Sequence, residues 1–142
     1  MNLIYKAELQ RIEKTQASEL ERLDFLPSYL GIFCTRFESH VFNAMRELCR
    51  DYNGGVWEMY HLSNGAFYMV PTASESYNIL CSGNYFEGTM SAEAAGITAT
   101  LFALGRLAFE VEDSRSIGVL YHRLVHYVDT ISEARDIFRA ID

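Results

Sequence analysis

The stretch from Ser91 to Gly105 decides the fold of this 142-residue chain and reads Ser-Ala-Glu-Ala-Ala-Gly-Ile-Thr-Ala-Thr-Leu-Phe-Ala-Leu-Gly. From residue 92 to about 111 the sequence is apolar on nearly every side of a helix, which is typical of a helix buried in a core. Ser91 is placed to cap this helix, and Glu93 to lie near its positive end. Two glycines within it would let neighbouring elements approach closely. We therefore predict a central core helix packed on a sheet.

Short β-type runs rich in aromatic residues precede this helix. Residues 56–62 and 66–70 flank Ser63-Asn64-Gly65, and residues 77–81 and 85–90 flank a second turn sequence. Asn-Gly between two such runs indicates a hairpin with a type I′ turn, because that turn needs positive φ at both central positions. We therefore predict an antiparallel meander of three or four strands.

Helices are predicted both before and after the strands in the sequence. Residues from about 29 to 52 carry apolar side chains at helical spacing and stop at Asn53-Gly54-Gly55. Asp113 or Ser114 is expected to cap a helix that ends near residue 131, and residues 132–133 to open a short terminal helix. Because the strands are grouped between helices rather than alternating with them, the pattern predicts one α+β domain over residues 1–142.

The first 21 residues form a separate, variable segment within that domain. They are polar and mixed in charge, and the spacing of Leu3 and Ala7 suggests a helix. Phe25-Leu26-Pro27 is expected to end this segment, because proline lacks the donor that a continuing helix would need.

Composition excludes several classes of partner. A formal net charge of -7 with 12 scattered Lys and Arg residues argues against a nucleic-acid-binding surface. The longest uncharged helical stretch, residues 94–105, is shorter than the roughly 18 residues that a membrane span needs. The odd number of widely spaced cysteines and the lack of an export signal predict a protein of the reducing cytoplasm.

The acidity does not suggest imitation of DNA. A duplex carries one charge per roughly 1.7 Å, so ten base pairs present about twenty charges. A net charge of -7 spread over a whole domain does not reach that density.

No residues form a recognisable catalytic, cofactor or metal site. His122 and His126 share a helix face but lack further zinc ligands, and Cys49 has no demonstrated base. Phosphate-binding and nucleophile-elbow motifs are absent from the sequence. We therefore predict no catalytic residue, no cofactor and no metal.

Two regions remain as candidates for function. Asp51, Trp57 and His61 gather around a Gly-Gly turn, with Glu58 beside them, and could serve a small enzyme or ligand-binding domain in which Asp51 and Glu58 act as acid and base. Asp142 places a carboxylate beside the chain terminus, at the negative end of a helix, where a cation would be more favourable. This residue is therefore interpreted either as part of a frayed end or as a negatively charged contact for a partner. The candidate partner contacts are thus Asp142, Asp51, Glu58 and Trp57.

Three segments resemble the ArdB/KlcA family of antirestriction proteins. They are Arg46-Glu-Leu-Cys-Arg-Asp-Tyr-Asn-Gly-Gly-Val-Trp57, Leu62-Ser-Asn-Gly-Ala-Phe-Tyr-Met-Val-Pro71 and the stretch from Ser91 to Gly105. Phe25-Leu26-Pro27 and Ala140-Ile141-Asp142 are also similar, so the resemblance covers about residues 22–142.

This resemblance implies a protein of plasmids or other mobile elements that relieves type I restriction while leaving modification largely intact. It supplies no catalytic residues. The expected partner is the host type I restriction-modification machinery or a factor that controls it, and the expected mode is protein interaction without catalysis or DNA mimicry.

Overall fold

A computed structural model describes residues 11–142 of the chain. The strands and helices follow one another in the order β1 (Lys14–Gln16), α1 (Arg22–Leu30), α2 (Cys34–Leu48), β2 (Trp57–Leu62), β3 (Phe67–Pro71), β4 (Ser76–Cys81), β5 (Phe86–Ser91), α3 (Ala92–Glu110), α4 (Arg115–Val128) and α5 (Ala134–Ile141). Short 3₁₀ turns precede α1 and α2. The predicted α+β class is confirmed, with the strands between the helices apart from β1.

The strands form two antiparallel sheets rather than one meander. One sheet has the order β1-β2-β3, and the other is the β4–β5 hairpin. The prediction of a continuous meander is wrong because α3 lies against the outer edge of β3. There the Met69 amide donates to Thr100 Oγ1 at 3.1 Å, so this edge is not free to pair with β4.

Helix α3 is the centre of the core, as predicted. It contacts β3, β4, β5, α2, α4 and α5, and most of its side chains are buried. Its apolar length would suffice to cross a membrane, but a core helix passes the same test, and most of α3 is buried inside the domain. Gly96 permits the closest contact, because a Cβ there would lie 2.1 Å from the Met69 carbonyl oxygen.

The described part of the N-terminal segment is not α-helical, and residues 1–10 lie outside the described range. Lys14–Gln16 form β1 on the edge of β2, and the main-chain bond from Ala17 to Met59 extends this pairing. Leu3 and Ala7, whose spacing suggested a helix, lie outside the described residues, so that prediction is not tested. Pro27 lies inside α1, because burial of side chains on one face of α1 offsets the hydrogen bond that proline cannot donate.

The hairpin at Asn64-Gly65 is confirmed, but its turn is not of type I′. Gly65 has φ of 91°, whereas Asn64 is not among the non-glycine residues with positive φ. The Leu62 amide bonds to the Ala66 carbonyl, which leaves a three-residue loop. The Asn64 side chain accepts from the Ala66 amide and donates to the Arg123 carbonyl, so the turn is shaped by its contact with α4.

The capping residues of the helices were predicted more accurately than the positions at which the helices end. Ser91 Oγ accepts the Ala94 amide at 3.1 Å, and Asp113 rather than Ser114 accepts the Arg115 amide. Helix α2 ends at Leu48, before the expected glycines, because Cys49 is already extended with φ of -135°.

Gly96→Ala tests the close approach of α3 to β3. The added Cβ would collide with backbone atoms of Met69 and Val70, which cannot rotate away as a side chain could. We expect the free energy of unfolding to fall by about 3 kcal/mol, measured by urea denaturation.

Gly105→Ala on the same helix is the matched control. Its Cβ would meet only Tyr121 Cε2 at 3.8 Å, so the higher helix propensity of alanine should raise stability by about 0.5–1 kcal/mol. Equal effects of the two substitutions would contradict the proposed packing.

Candidate functional site

The residues of the Asp51–Trp57–His61 region do not converge on one site. Asp51 is exposed and lines a concavity with Arg50 and Leu80. Trp57 is only 3% exposed, and its Nε1 donates to the Tyr52 hydroxyl at 2.8 Å. The predicted contact through the Trp57 ring therefore has almost no accessible surface.

Glu58 and His61 make different contacts. Glu58 is half-buried and accepts a hydrogen bond from the Tyr60 hydroxyl at 3.2 Å. His61 joins α1 to the sheet, because its Nδ1 lies 2.6 Å from the Tyr29 hydroxyl and its Nε2 lies 2.9 Å from Glu21 Oε2. Hydrogen bonds from the Ser18 amide and from His61 lower the pKa of Glu21. These contacts hold α1 in place and leave no open acid–base pair.

A second polar group, which the sequence did not indicate, lies on the face of the sheet opposite His61, the face that also carries Glu58. This Glu93 cluster consists of Lys14, Tyr60, Tyr68, Glu93 and Tyr127. Glu93 Oε1 accepts from Lys14 Nζ at 2.7 Å and from the Tyr68 hydroxyl at 2.5 Å. The rings of Tyr60 and Tyr68 stack with centroids 5.2 Å apart, and Tyr127 stacks on Tyr68.

Burial and the bond to Glu93 raise the pKa of Tyr68 far above its ordinary value. The bond to Glu93 also raises the pKa of Lys14, against the opposing effect of its partial burial. Glu93 lies in the first turn of α3, where the helix dipole favours its charge. The cluster therefore ties β1, β3, α3 and α4 together through paired groups.

Asp142 is exposed at the end of α5, but the last turn of that helix is held in place. The Asn84 side-chain amide donates to the carbonyl oxygens of Arg139 at 3.0 Å and Ala140 at 2.6 Å. The Asp142 amide bonds to the Phe138 carbonyl at 3.1 Å. The carboxylate is thus presented from a tethered main chain rather than from a loose end.

The histidines and the cysteine considered in the sequence lie apart from any such group. His122 and His126 are exposed on α4, and Cys49 is buried. Among residues 11–142 no three His, Cys, Asp or Glu side chains are grouped so that they could hold a metal ion.

The polar side chains of these clusters are thus paired with one another. The domain as a whole is similar to known antirestriction proteins. A family model described as antirestriction protein matches residues 50–142. Antirestriction protein KlcA of Escherichia coli is 44% identical over 137 residues, which cover 94% of this chain and 96% of KlcA. Putative antirestriction protein YubI of Escherichia coli K12 is 30% identical over 87% of this chain and 92% of its own length.

A solved structure gives the same relationship, with a TM-score of 0.86 and 44% identity over 92% of this chain and 95% of the other. It comes from work on the KlcA and ArdB proteins, which describes a novel fold and antirestriction activity against type I DNA restriction systems in vivo but not in vitro. The chain belongs to the antirestriction protein family. The alignment with KlcA also extends into residues 1–21, beyond the resemblance noted in the sequence.

Tyr68→Phe tests the Glu93 cluster. Loss of the buried hydroxyl removes one of the two donors to Glu93, so we expect unfolding free energy at pH 7 to fall by about 1–2 kcal/mol. Tyr60→Phe is the control, because the Tyr60 hydroxyl is less buried than that of Tyr68 and makes a longer hydrogen bond. This substitution should lower the free energy of unfolding by less than Tyr68→Phe does. Urea denaturation of both variants makes the comparison.

The same variant should alter stability in alkali. Above about pH 10 an unfolded tyrosine loses its proton, while Tyr68 in the folded chain keeps it, so the unfolded state binds fewer protons and stability falls as pH rises. Tyr68→Phe should make this fall shallower by about 1.4 kcal/mol per pH unit. Parallel profiles for wild type and variant would show that Tyr68 ionises normally.

Proposed function

We propose that this chain relieves type I restriction of incoming DNA in the host cytoplasm, while leaving modification largely intact. It does so by binding a protein, without catalysis. The observation that carries the proposal is its membership of the antirestriction family, together with a related structure of the same fold whose proteins act on type I systems in vivo.

The partner that best fits is a cellular factor that controls the restriction enzyme. The KlcA and ArdB proteins are described as active in vivo but not in vitro. A protein that simply occupied the enzyme would be expected to inhibit it in vitro as well. Direct binding to the restriction enzyme is the second possibility, and the two are separated by the assays below.

The charge distribution of the domain supports a protein partner over imitation of DNA. Several acidic side chains are paired with basic ones within the domain: Glu93 with Lys14, Glu110 with Arg106, and Asp113 with Arg115. Paired carboxylates do not form the dense row of unneutralised charge that a duplex presents, one per roughly 1.7 Å.

Phage plating on a type I restricting host tests the function. We expect expression of the chain to raise the plating efficiency of unmodified phage at least about tenfold, with no effect on a host that lacks the restriction enzyme. Unchanged restriction at verified soluble expression would overturn the proposal.

Cleavage by purified restriction enzyme provides the test of mechanism. We expect no inhibition by the purified chain, and inhibition restored by host extract, if a cellular factor is the partner. Inhibition by the chain alone would identify the enzyme itself as the partner. Inhibition that competes with DNA and fades as salt rises would instead indicate DNA mimicry.

Asp142→Asn tests the acidic end as a partner contact. Loss of a charged contact should reduce relief of restriction about tenfold, whereas thermal stability should not change because the side chain is exposed. Asp129→Asn, at an exposed carboxylate after α4, is the matched control. Equal plating for both variants would show that the Asp142 carboxylate makes no essential contact.

A further inference from the structure

The loop between α2 and β2 contains an asparagine followed by two glycines, Asn53, Gly54 and Gly55. Asparagine is a chemically labile residue. It is most labile before glycine, because no side chain there hinders the attack of the next main-chain nitrogen on the asparagine side chain. The chain has a second pair of this kind, Asn64 and Gly65, in the turn between β2 and β3. Since both pairs are Asn-Gly, their tertiary surroundings decide which of them reacts.

The reacting groups at Asn53 are free. Asn53 is exposed, and within residues 11–142 neither its side chain nor the Gly54 amide makes a hydrogen bond. A Cβ placed on Gly54 would meet no atom within 4 Å, so the space beside this residue is open. Gly54 and Gly55 have φ of 82° and 114°, a conformation that glycine adopts readily. The Asn53 carboxamide and the Gly54 nitrogen can therefore approach each other without breaking an existing hydrogen bond.

The reacting groups at Asn64 are occupied. Asn64 Oδ1 accepts the Ala66 amide at 3.1 Å, and Asn64 Nδ2 donates to the Arg123 carbonyl at 2.9 Å. The Gly65 amide donates to the Leu62 carbonyl at 3.0 Å. The Arg123 side chain also lies beside this turn, because a Cβ on Gly65 would be 2.7 Å from Arg123 Nη1. Reaction at this asparagine therefore requires the turn to open, and local opening costs free energy.

We propose that Asn53 is a site of spontaneous deamidation and that Asn64 is protected from it. The Gly54 nitrogen attacks the side-chain carbonyl carbon of Asn53, and its proton passes through solvent to the departing amine, which leaves as ammonia. The product is a succinimide ring. Water then opens this ring at one of its two carbonyl groups and leaves either aspartate or isoaspartate. The reaction consumes one water and releases one ammonia, so it needs no enzyme and no cofactor.

The contacts around the loop predict that the chain stays folded after this reaction. Tyr52 and Trp57 lie on either side of the pair in sequence, and the Trp57 indole donates to the Tyr52 hydroxyl at 2.8 Å. Residue 53 itself lies outside the helices and strands, so the added methylene of an isoaspartate interrupts no ladder. The new carboxylate lies two positions from the exposed Asp51. Newly made and aged chain therefore differ in charge at a candidate partner contact while sharing one fold.

Peptide mapping of the purified full chain tests the site. Folded chain is incubated in neutral and in mildly alkaline buffer, and isoaspartate is located by mass spectrometry and by methylation with an isoaspartyl methyltransferase. We expect deamidation at Asn53 to be at least about tenfold faster than at Asn64, because only the second requires local opening. The rate should rise in alkali, since attack requires loss of the Gly54 proton. Equal rates at the two asparagines, or a faster rate at Asn64, would overturn the proposal.

The same chain unfolded in urea is the control for the role of tertiary structure. Unfolding removes the hydrogen bonds that engage Asn64, so its rate of deamidation should rise and approach that of Asn53. If Asn64 remained as slow relative to Asn53 in urea as in the folded chain, its local sequence rather than its contacts would protect it. Deamidation of Asn53 in urea but not in the folded chain would show that the loop keeps the reacting groups apart. Each of these results would contradict the proposal.

Asn53→Gln is the matched control variant. Its longer side chain must close a larger ring, so deamidation at position 53 should become undetectable over the same period. Because residue 53 is exposed, the circular dichroism and the rate at Asn64 should not change. Isoaspartate formed in this variant at the wild-type rate would show that another residue is its source. These measurements do not involve restriction, so their outcome is independent of the proposed function.

Discussion

The structure depends on the contact of α3 with the outer edge of β3. The absence of a side chain at Gly96 lets the helix lie against the Met69 carbonyl, and Thr100, one turn further along, accepts the Met69 amide. Thr100 Oγ1 also donates to the Gly96 carbonyl, so one hydroxyl serves both the helix and the sheet edge. A strand edge is thereby satisfied by a helix rather than by another strand.

That contact explains why the strands divide into two sheets. With the β3 edge occupied, the chain continues into a separate β4–β5 hairpin, and β5 leads directly into α3 through the Ser91 cap. The hairpin covers another side of the same helix.

The candidate site was only partly accessible to sequence reasoning. Polar residues at element ends, such as Asp51 and Asp142, could be selected because such positions are exposed in most folds. Trp57 could not be placed, because an aromatic residue at the start of a strand is equally compatible with a contact surface and with a core. The Glu93 cluster was missed because Lys14 and Glu93 lie 79 positions apart, and no local spacing predicts that pairing.

The sequence by itself determined the buried helix, its Ser91 cap, the hairpins, the α+β class and the family resemblance. These features rest on local periodicity, on turn residues and on ordered segments that remain visible along the chain. Only the tertiary structure decided that β1 forms, that Pro27 lies within a helix and that the strands separate into two sheets. Each depends on a partner distant in sequence, and the free energy of burial and strand pairing outweighs local preference when that partner is in place.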